Sequence, residues 1–415
     1  MPRWVAFAYA VLLLALTGAG AASAQVVERS GNSFHVAVCG PTAPGTARCH
    51  AHLVTDLGGH AVRLMVGGGR LLSPNTPSPS AGPYNPSQLR AAYGITGMGS
   101  PNTVVAIVDA YGYPNAAADV AVFRKEYGLP PLNCIQGNGG STPCLRIVNE
   151  NGGTKLPPAN AGWDVEQALD LDMVSAMCPD CSIVLVQGNS NSFADLATAE
   201  IEAAALGAHS IGNSYGGAES GSQSFAPAYN HPGVAVTASA GDSGYGVAFP
   251  ASSPTVIAVG GTSLFWNGST RSETVWSGTG SGCSTVYGEP SWQTPTATNG
   301  MANNTLCTKR MMNDVATVAD PDTGVIIYMN IPPYAPGFYI VGGTSASAQI
   351  ISGIYGEKDN AVTTGGIPDP YSFHKNLFDV TSGSNGACGG TYFCRGEIGY
   401  DGPTGLGTPI GDTAF

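Results

Sequence analysis

Charged side chains are scarce in this sequence, and basic ones are the scarcest. Only 11% of the 415 residues are charged, and 16 Lys and Arg oppose 28 Asp and Glu, for a formal net charge of −12. An acidic balance disfavours binding to nucleic acid or to anionic membranes, so we expect neither as a partner. Because 43% of the residues are hydrophobic, the composition also argues against disorder. We expect a well-packed monomer.

Long hydrophobic runs are missing after the first 24 residues, which argues against a membrane-spanning segment. The early apolar run from Val5 to Leu16 follows Arg3 and precedes the small-residue site Ala22-Ser23-Ala24. This order is typical of a signal peptide, which we assign to residues 1–24. The sequence therefore predicts a secreted, extracellular protein.

Cysteine is present in an even number, and all ten residues follow the signal peptide. In a secreted chain this indicates disulfides. Cys178-Pro-Asp-Cys181 lacks the second Cys pair of a zinc site, so we interpret it as a bridge. The spacing suggests five local pairs: Cys39–Cys49, Cys134–Cys144, Cys178–Cys181, Cys283–Cys307 and Cys388–Cys394.

The N-terminal part of the chain is set apart by its composition. Residues 25–82 contain one Cys pair and lead into a stretch from Leu71 to Gln88 rich in Pro, Ser and Gly. Such a stretch is extended and accessible to proteases. We interpret residues 25–82 as a propeptide with its linker, and residues 83–415 as the main domain. A small N-terminal domain that stays attached is the alternative.

From Thr103 onwards, apolar strands alternate with helices, which predicts an α/β fold with a mostly parallel sheet between layers of helices. In such sheets, functional sites collect at the carboxyl ends of the strands. The predicted strands are 103–109, 145–148, 182–187, 209–213, 234–239 and 255–259, and the predicted helices are 114–127, 163–177 and 193–206, with one more helix between 213 and 234.

A Gly-rich turn at Gly342-Gly343-Thr344-Ser345 precedes an apolar helical run. A turn of this kind can present a Ser at a helix N-terminus, where the helix dipole favours developing negative charge. Ser345 is therefore a candidate nucleophile. The alternative is a small-residue turn that closes a buried helix.

Three acids are candidates for the accompanying chemistry. Glu166 and Asp170 lie four residues apart, on one face of a half-apolar helix. Two adjacent, partly buried carboxyl groups can share a proton and act as a general base. Asp242 follows a strand end, where a protonated Asp can donate to an oxyanion. The alternatives are a solvated acidic face for the pair and a turn Asp for the third residue.

Histidine as the base is the competing hypothesis. There are seven His, four of them within residues 25–82. His209 and His231 lack a sequence context typical of a catalytic base. A triad of Asp109, a His and Ser345 is possible but has little support in the sequence.

These motifs together resemble the sedolisins, or serine-carboxyl peptidases, over most of residues 84–415. The resemblance rests on three segments in order and on a C-terminal acidic segment. The three segments are Gly162-Trp163-x-x-Glu166-x-x-Leu169-Asp170, Ser239-x-Gly241-Asp242-Ser243-Gly244 and Gly343-Thr344-Ser345-Ala346-Ser347-Ala348.

The resemblance implies a subtilisin-like fold and peptide-bond hydrolysis through an acyl-enzyme at acid pH. It implies Ser345 as nucleophile, Glu166 as general base and then acid, Asp170 as its orienting carboxylate and Asp242 in the oxyanion hole. Substrates would be proteins or peptides bound along one strand, for which the candidate residues are Ser214, Tyr215 and Gly216. A catalytically inactive, secreted binding protein of the same family is the alternative function.

The resemblance also implies one bound calcium ion near the C-terminus. By position, its ligands would be the carboxylates of Asp379 and Asp401 and the carbonyls of Val380, Glu397 and Gly399. Oxygen ligands with two carboxylates suit this hard cation.

The sequence departs from the family in three places. Gly342 stands where the nucleophile motif usually has Ser, and Gln349 stands where it usually has Pro. The N-terminal segment is also much shorter than the propeptides typical of the family, which leaves its role as a zymogen inhibitor open.

Overall fold

The computed structural model describes residues 26–67, 70–72, 82–133, 142–294, 306–358 and 368–415. The predicted signal peptide and the middle of the Pro-rich linker lie outside these ranges, as does Cys134. Among the described residues, no helix has the length and apolar character needed to cross a bilayer.

Twenty-one strands run through the described residues. They are β1 Val27–Ser30, β2 Ser33–Ala37, β3 Arg48–Cys49, β4 His52–Thr55, β5 Met65–Gly67, β6 Arg70–Leu72, β7 Val104–Ala110, β8 Leu145–Asn149, β9 Ser182–Gly188, β10 Ser210–Asn213, β11 Tyr215–Gly216, β12 Ala235–Ser239, β13 Ile257–Trp266, β14 Arg271–Val275, β15 Gly282–Gly288, β16 Lys309–Met312, β17 Val315–Val318, β18 Val325–Met329, β19 Gly337–Gly342, β20 Leu377–Phe378 and β21 Thr408–Pro409.

Six α-helices accompany these strands. They are α1 Pro86–Tyr93, α2 Ala116–Glu126, α3 Ala161–Met177, α4 Phe193–Ala205, α5 Thr344–Lys358 and α6 Pro368–Ser372.

The central sheet has eight strands in the order β14-β13-β12-β10-β7-β9-β8, with β17 also paired to β13. All of its pairings are parallel except that of β14 with β13. Its interior strands are apolar and almost fully buried, as expected for a parallel sheet covered on both faces. The predicted α/β fold with a mostly parallel sheet is confirmed.

Neighbouring residues of β10 show that helices cover both faces of this sheet. Ser210 donates a hydrogen bond from its hydroxyl to Ser352 of α5 (2.8 Å), and a Cβ on Gly212 would point at Gln349 of the same helix. The next residue, Asn213, interacts with Glu200 of α4. Since successive residues of a strand point to opposite faces, α5 and α4 lie on opposite sides.

A second, antiparallel sheet joins the N-terminal segment to the main domain. Its order is β1-β2-β4-β19-β18, so three strands from residues 27–55 extend the hairpin formed by β18 and β19. Val341 pairs with Leu53 and Gly342 pairs with His52. Leu53 and Val36 are buried in the common core. The N-terminal segment therefore lies directly beside the strand that leads to Ser345.

The observed elements follow the predicted ones closely, with two differences. The single helix expected between 213 and 234 is instead two short 3₁₀ helices, Ser222–Ser224 and Ala226–Tyr229, with Pro227 in the second. The strand expected at 255–259 continues to Trp266 as β13, because its second half pairs with β14.

Four of the five suggested disulfides are present, namely Cys39–Cys49, Cys178–Cys181, Cys283–Cys307 and Cys388–Cys394. The suggested pair of Cys134 with Cys144 includes a residue outside the described ranges.

Candidate active site

Ser345 sits on a sharp turn between a strand and a helix. Strand β19 ends at Gly342, Gly343 adopts a φ of 105°, and α5 begins at Thr344. Only Gly takes that backbone angle readily. The side chain of Ser345 is fully buried, and its hydroxyl donates to the carbonyl oxygen of Ser214 at 3.2 Å. The turn thus holds the hydroxyl at the N-terminus of a buried helix.

Two carboxyl groups of α3 lie beside this hydroxyl. Glu166 and Asp170 are both fully buried, one helical turn apart on the face of α3 that packs against α5. Burial, and then the charges of Asp170 and Asp109, raise the pKa of Glu166 well above its usual value, while an interaction with the Ser345 hydroxyl lowers that pKa. Burial likewise raises the pKa of Asp170. The pair therefore retains a proton to a higher pH than free carboxyl groups would.

Asp109 adds a third carboxyl group to this cluster. It lies near the carboxyl end of β7, and burial, followed by the charge of Asp170, raises its pKa. Its carboxyl group interacts directly with that of Asp170. The nitrogen Nδ1 of His209 accepts from Val104 at the opposite end of the strand (3.2 Å). His209 therefore does not form a triad with Asp109 and Ser345.

Gln349 occupies the centre of the carboxyl cluster. Its Nε2 donates to Asp170 Oδ2 at 2.6 Å and to Ser214 Oγ at 2.9 Å. The sequence showed this residue only as a departure from the family motif. Its position four residues after Ser345, on the same face of α5, was the available indication that it belongs to the site.

Asp242 lies on the other side of the Ser345 turn, just after β12. Thr344 donates to Asp242 Oδ1 from its backbone nitrogen (2.9 Å) and from its hydroxyl (2.6 Å). The other oxygen, Oδ2, is buried and accepts no hydrogen bond, but it lies 3.4 Å from Nε2 of His52. Burial keeps the pKa of His52 well below its usual value. Burial raises the pKa of Asp242 to about 7. Below that pH, Oδ2 carries a proton and is free to donate it. The anchoring role of Thr344 was not predicted from the sequence.

The three candidate substrate-binding residues pair through their backbone with an extended segment of the same chain. Strand β11, formed by Tyr215 and Gly216, pairs in antiparallel fashion with Arg48 and Cys49 of β3. The carbonyl oxygen of Ser214 accepts from the backbone nitrogen of His50 at 3.1 Å. The backbone of these three residues is therefore paired with an extended segment of the same chain, in the manner of strand addition.

Gly342 has a steric reason to be Gly. A Cβ at this position would lie 2.5 Å from the carbonyl oxygen of Ala319 and 2.6 Å from the nitrogen of Pro321. The loop after β17 thus approaches the backbone of β19 too closely for the Ser that the family motif usually has here.

The five candidate calcium ligands fall in two loops that lie together. Gly399 donates from its backbone nitrogen to Asp379 Oδ2 (2.9 Å), and Glu397 does so to Asp401 Oδ2 (3.0 Å). The carbonyl oxygen of Val380 faces Gly396, 2.9 Å from where a Cβ would be.

The chemistry of this group fits a hard cation. Asp379 and Asp401 are close enough that the charge of Asp379 raises the pKa of Asp401, together with burial. Asp379 Oδ1 is buried without a hydrogen-bond partner, and neither residue forms an ion pair with any Lys or Arg in the described part of the chain. Two adjacent carboxylates with no compensating cation are what an oxygen-coordinated divalent ion would stabilise.

Comparison with family models gives no match, but individual relatives are found. The chain is 31% identical to kumamolisin from Bacillus sp. (strain MN-32) over 307 aligned residues, in a match that covers 66% of this chain and 54% of the relative. It is 26% identical to sedolisin from Pseudomonas sp. (strain 101) over 366 aligned residues, in a match that covers 78% of this chain and 59% of the relative. The chain thus spans somewhat more than half the length of these two relatives.

A solved structure supports the same assignment at the level of the fold. Pseudomonas sedolisin, a serine-carboxyl proteinase complexed with two molecules of pseudo-iodotyrostatin, superposes with a TM-score of 0.66 and 24% identity. The superposition covers 81% of this chain and 97% of that one. By sequence the chain is similar to kumamolisin and sedolisin, and it shares the subtilisin-like fold of Pseudomonas sedolisin.

Proposed function

We propose that the chain is a secreted serine-carboxyl endopeptidase that is active at acid pH. The observation that carries this proposal is the buried carboxyl pair of Glu166 and Asp170 beside the hydroxyl of Ser345. No Lys or Arg forms an ion pair with either acid in the described ranges. Buried, unpaired acids are costly for folding, and their presence next to a Ser on a glycine turn is best explained by catalysis.

In the first step, the Ser345 hydroxyl would attack the carbonyl carbon of a bound peptide. Glu166 accepts the hydroxyl proton, while Asp170 stabilises the orientation and charge of Glu166. Gln349 holds Asp170 in place through its hydrogen bond to Oδ2. The pair thus takes the place that imidazole and carboxylate have in a Ser-His-Asp triad.

The oxyanion would be stabilised by two donors, the backbone nitrogen of Ser345 and the protonated Oδ2 of Asp242. Support comes from the two hydrogen bonds of Thr344, which occupy Oδ1 and leave Oδ2 with only the more distant His52 Nε2 (3.4 Å) as a polar neighbour. Glu166 then protonates the leaving nitrogen, and an ester with Ser345 remains. Water, activated by Glu166, hydrolyses the ester and releases the second product.

The pH dependence follows from these proton positions. With its pKa at about 7, Asp242 holds its donor proton in acid and loses it as the pH rises through neutrality. Glu166 must accept a proton from Ser345, so the pair of Glu166 and Asp170 must first have lost at least one of its own protons. At very low pH both groups are protonated, which limits activity. We therefore expect a bell-shaped profile whose maximum lies below pH 7.

Substrates are proposed to be proteins or peptides that bind as extended strands against Ser214, Tyr215 and Gly216. We further propose that Asp379, Asp401 and the carbonyls of Val380, Glu397 and Gly399 hold one calcium ion. When bound, the ion would stabilise the two C-terminal loops, and it has no part in the chemical step.

The test is a pH–activity profile on an unfolded protein substrate for the parent, Ser345→Ala and Glu166→Gln. We expect activity confined to acid pH and a loss of at least about a thousandfold in both variants. Activity at neutral pH that survives Glu166→Gln would contradict the proposal. Absence of activity at every pH in the correctly folded parent would favour the inactive binding protein instead.

A further inference from the structure

Three potential metal ligands lie together on one face of the antiparallel sheet, namely Glu28 of β1, His35 of β2 and His52 of β4. Glu28 and His35 are direct partners across β1 and β2. His52 pairs directly with Ala37 of β2, which makes it the diagonal neighbour of His35. Since alternate residues of a strand point to the same face, the three side chains converge. One ligand atom from each lies within 4.8 Å of the other two.

The two imidazoles of this cluster face each other through the same ring nitrogen. Nδ1 of His35 lies 2.9 Å from Nδ1 of His52, and the ring planes are 71° apart. In this contact one of the two nitrogens has to carry a proton, and a metal ion would take the place of that proton. Zinc binds imidazole nitrogen at about 2.0–2.1 Å, so tetrahedral coordination places two such nitrogens about 3.4 Å apart. The rings would therefore have to separate by only about half an ångström.

The second ring nitrogen of His52 has the surroundings of a metal-bound imidazole. The side chain is almost fully buried, and Nε2 has no hydrogen-bond partner among the described residues. It lies 3.4 Å from Asp242 Oδ2. When Nδ1 of a neutral His binds a metal, the ring proton is on Nε2, and a carboxylate is one of the usual partners of that N–H. Asp242 therefore stands where it can orient His52 as a ligand.

A cavity of about 530 Å³ connects this cluster with solvent. Glu28, His35 and Asp242 line it together with Arg48, and Glu28 is exposed. The guanidinium of Arg48 is a competing positive charge, but the two carboxyl groups on the same cavity offset it. Arg29 also lines the cavity, and its Nε donates to a backbone carbonyl oxygen in the turn between β1 and β2 at 2.9 Å. An ion can therefore enter from solvent, and water can complete its coordination.

We propose that Glu28, His35 and His52 bind one zinc ion, with water as the fourth ligand. Two imidazole nitrogens and one carboxylate are a ligand set that zinc takes in sites with one open position, whereas calcium takes oxygen ligands. The zinc site is separate from the two C-terminal loops proposed for calcium. It does not rest on the peptidase function proposed above, because none of its ligands takes part in the chemical step.

The position of the ligands gives the ion a structural role. Each ligand comes from a different strand, β1, β2 or β4, so a bound zinc joins the three N-terminal strands of the antiparallel sheet. His52 also pairs through its backbone with Gly342 of β19, the strand that leads to Ser345. Zinc therefore stabilises the N-terminal segment in its place beside that strand, and the folded protein as a whole gains stability from the bound ion.

The experiment is calorimetric titration of the full chain with zinc chloride at neutral pH. Excess calcium keeps the C-terminal loops from contributing, and every protein carries Ser345→Ala, so peptidase activity plays no part. We expect one zinc per chain. Affinity should fall more than about a hundredfold in His35→Ala and at least about tenfold in Glu28→Gln. Glu28 is exposed, so Glu28→Gln tests the site even if His35→Ala fails to fold. The control His60→Ala, whose imidazole is exposed beside Asp56, should bind zinc like the parent.

Two further measurements identify the ligands and the effect on stability. X-ray absorption at the zinc edge should show two imidazole ligands, and zinc at a hundred times its Kd should raise the Tm by roughly 3 °C. The proposal is overturned if the protein binds no zinc, or if Glu28→Gln and His35→Ala both bind it as tightly as the parent. A spectrum without imidazole ligands, or an equal loss of affinity in His60→Ala, would also overturn it.

Discussion

At the scale of single residues, the acids of the site differ from the buried acids that support the fold. Asp314 is equally buried, but it forms an ion pair with Arg310 at 2.5 Å. Neither Glu166 nor Asp242 forms an ion pair with a Lys or Arg in the described structure, and the imidazole 3.4 Å from Asp242 belongs to His52, whose pKa burial lowers well below its usual value. A carboxylate paired with a permanent cation is stabilised in one protonation state, whereas one without such a partner can exchange its proton during a reaction.

Replacing Gln349 by Met should lower kcat about tenfold with little change in KM, because the variant loses the hydrogen bond that holds Asp170. That hydrogen bond also lowers the pKa of Asp170. The acid limb of the activity profile should therefore move to higher pH in Gln349→Met. Steady-state kinetics across the acid range would measure both effects.

The matched control is Gln293→Met, since Gln293 is also buried but donates to Met311 (2.7 Å), outside the cluster. We expect that variant to lose stability and to keep the parental pH profile. A similar shift of the profile in both variants would mean that Gln349 acts only through general packing.

Replacing Asp242 by Asn should change how stability depends on pH. Burial raises the folded-state pKa of Asp242 from 3.8 to about 7, so its stabilising contribution is complete below pH 4 and is lost as the pH rises to 7. Relative to Asp242→Asn, the parent should therefore lose about 4 kcal/mol across this range. Urea unfolding in a Ser345→Ala background would measure it without interference from the proposed peptidase activity.

The parent must be compared with Asp242→Asn because buried His residues, which both proteins contain, change stability with pH in the opposite direction. Burial lowers the pKa of His35 to about 4 and that of His50 to about 3. The stability that these two neutral His residues contribute is therefore lost as the pH falls below 6.5. If the difference in unfolding free energy between the parent and Asp242→Asn stays constant from pH 4 to 7, the raised pKa of Asp242 is contradicted.

At the scale of elements, the turn between β19 and α5 is set by what surrounds it. Gly343 supplies the positive φ, and Gly342 supplies the space that the loop after β17 requires. The Ser that the family motif usually has at position 342 therefore does not fit this chain.

Replacing Gly342 by Ser should destabilise the fold by about 1–3 kcal/mol, since the new Cβ would overlap Ala319 and Pro321. Chemical denaturation would measure the loss. Gly288→Ser is the control, because a Cβ there meets no atom within 4 Å. Equal stability of the two variants would show that the loop after β17 can move aside.

Elements with a strong local pattern could be predicted from the sequence. The apolar run of β7 and the 17-residue α3 were found because the hydrophobic pattern of one element suffices to identify it. The two 3₁₀ helices were missed, since Pro227 and the small residues around it give no such pattern. Motifs in the sequence were enough to propose Ser345 and Glu166 as site residues, whereas Thr344 and Gln349 became candidates only through the packing of α5 against its neighbours.

At the scale of the whole molecule, the N-terminal segment is part of the structure around the site. Its pairing with β11 and β19 could not be predicted, because strands of two to four residues have no recognisable period, and their partners are distant in sequence. The prediction that residues 25–82 form a propeptide stays a prediction.

Removing calcium should lower the melting temperature of the whole protein. An ion that binds only the folded state stabilises it by about 2.7 kcal/mol at a hundred times its Kd. For a chain of this size, in which the entropy of unfolding is large, chelation should therefore lower the Tm by roughly 3 °C. Asp379→Asn should abolish most of the difference, which calorimetry with and without chelator would measure.

Asp180→Asn is the control for that variant, because Asp180 is also only partly buried and lies outside the C-terminal loops. It should keep the full response to chelator. A parent protein with the same Tm in calcium-depleted and calcium-containing buffer would rule out the metal site.

The pairing of β4 with β19 has one more consequence. If residues 52–55 ever leave the sheet, the backbone groups of Val341 and Gly342 that face β4 lose their partners, and β19 becomes an open edge strand. Unprotected edges recruit any available extended chain, including another copy of the same protein. The N-terminal segment would then act as a protecting edge cap during secretion, and a chain without it would be prone to aggregate unless a substrate takes its place.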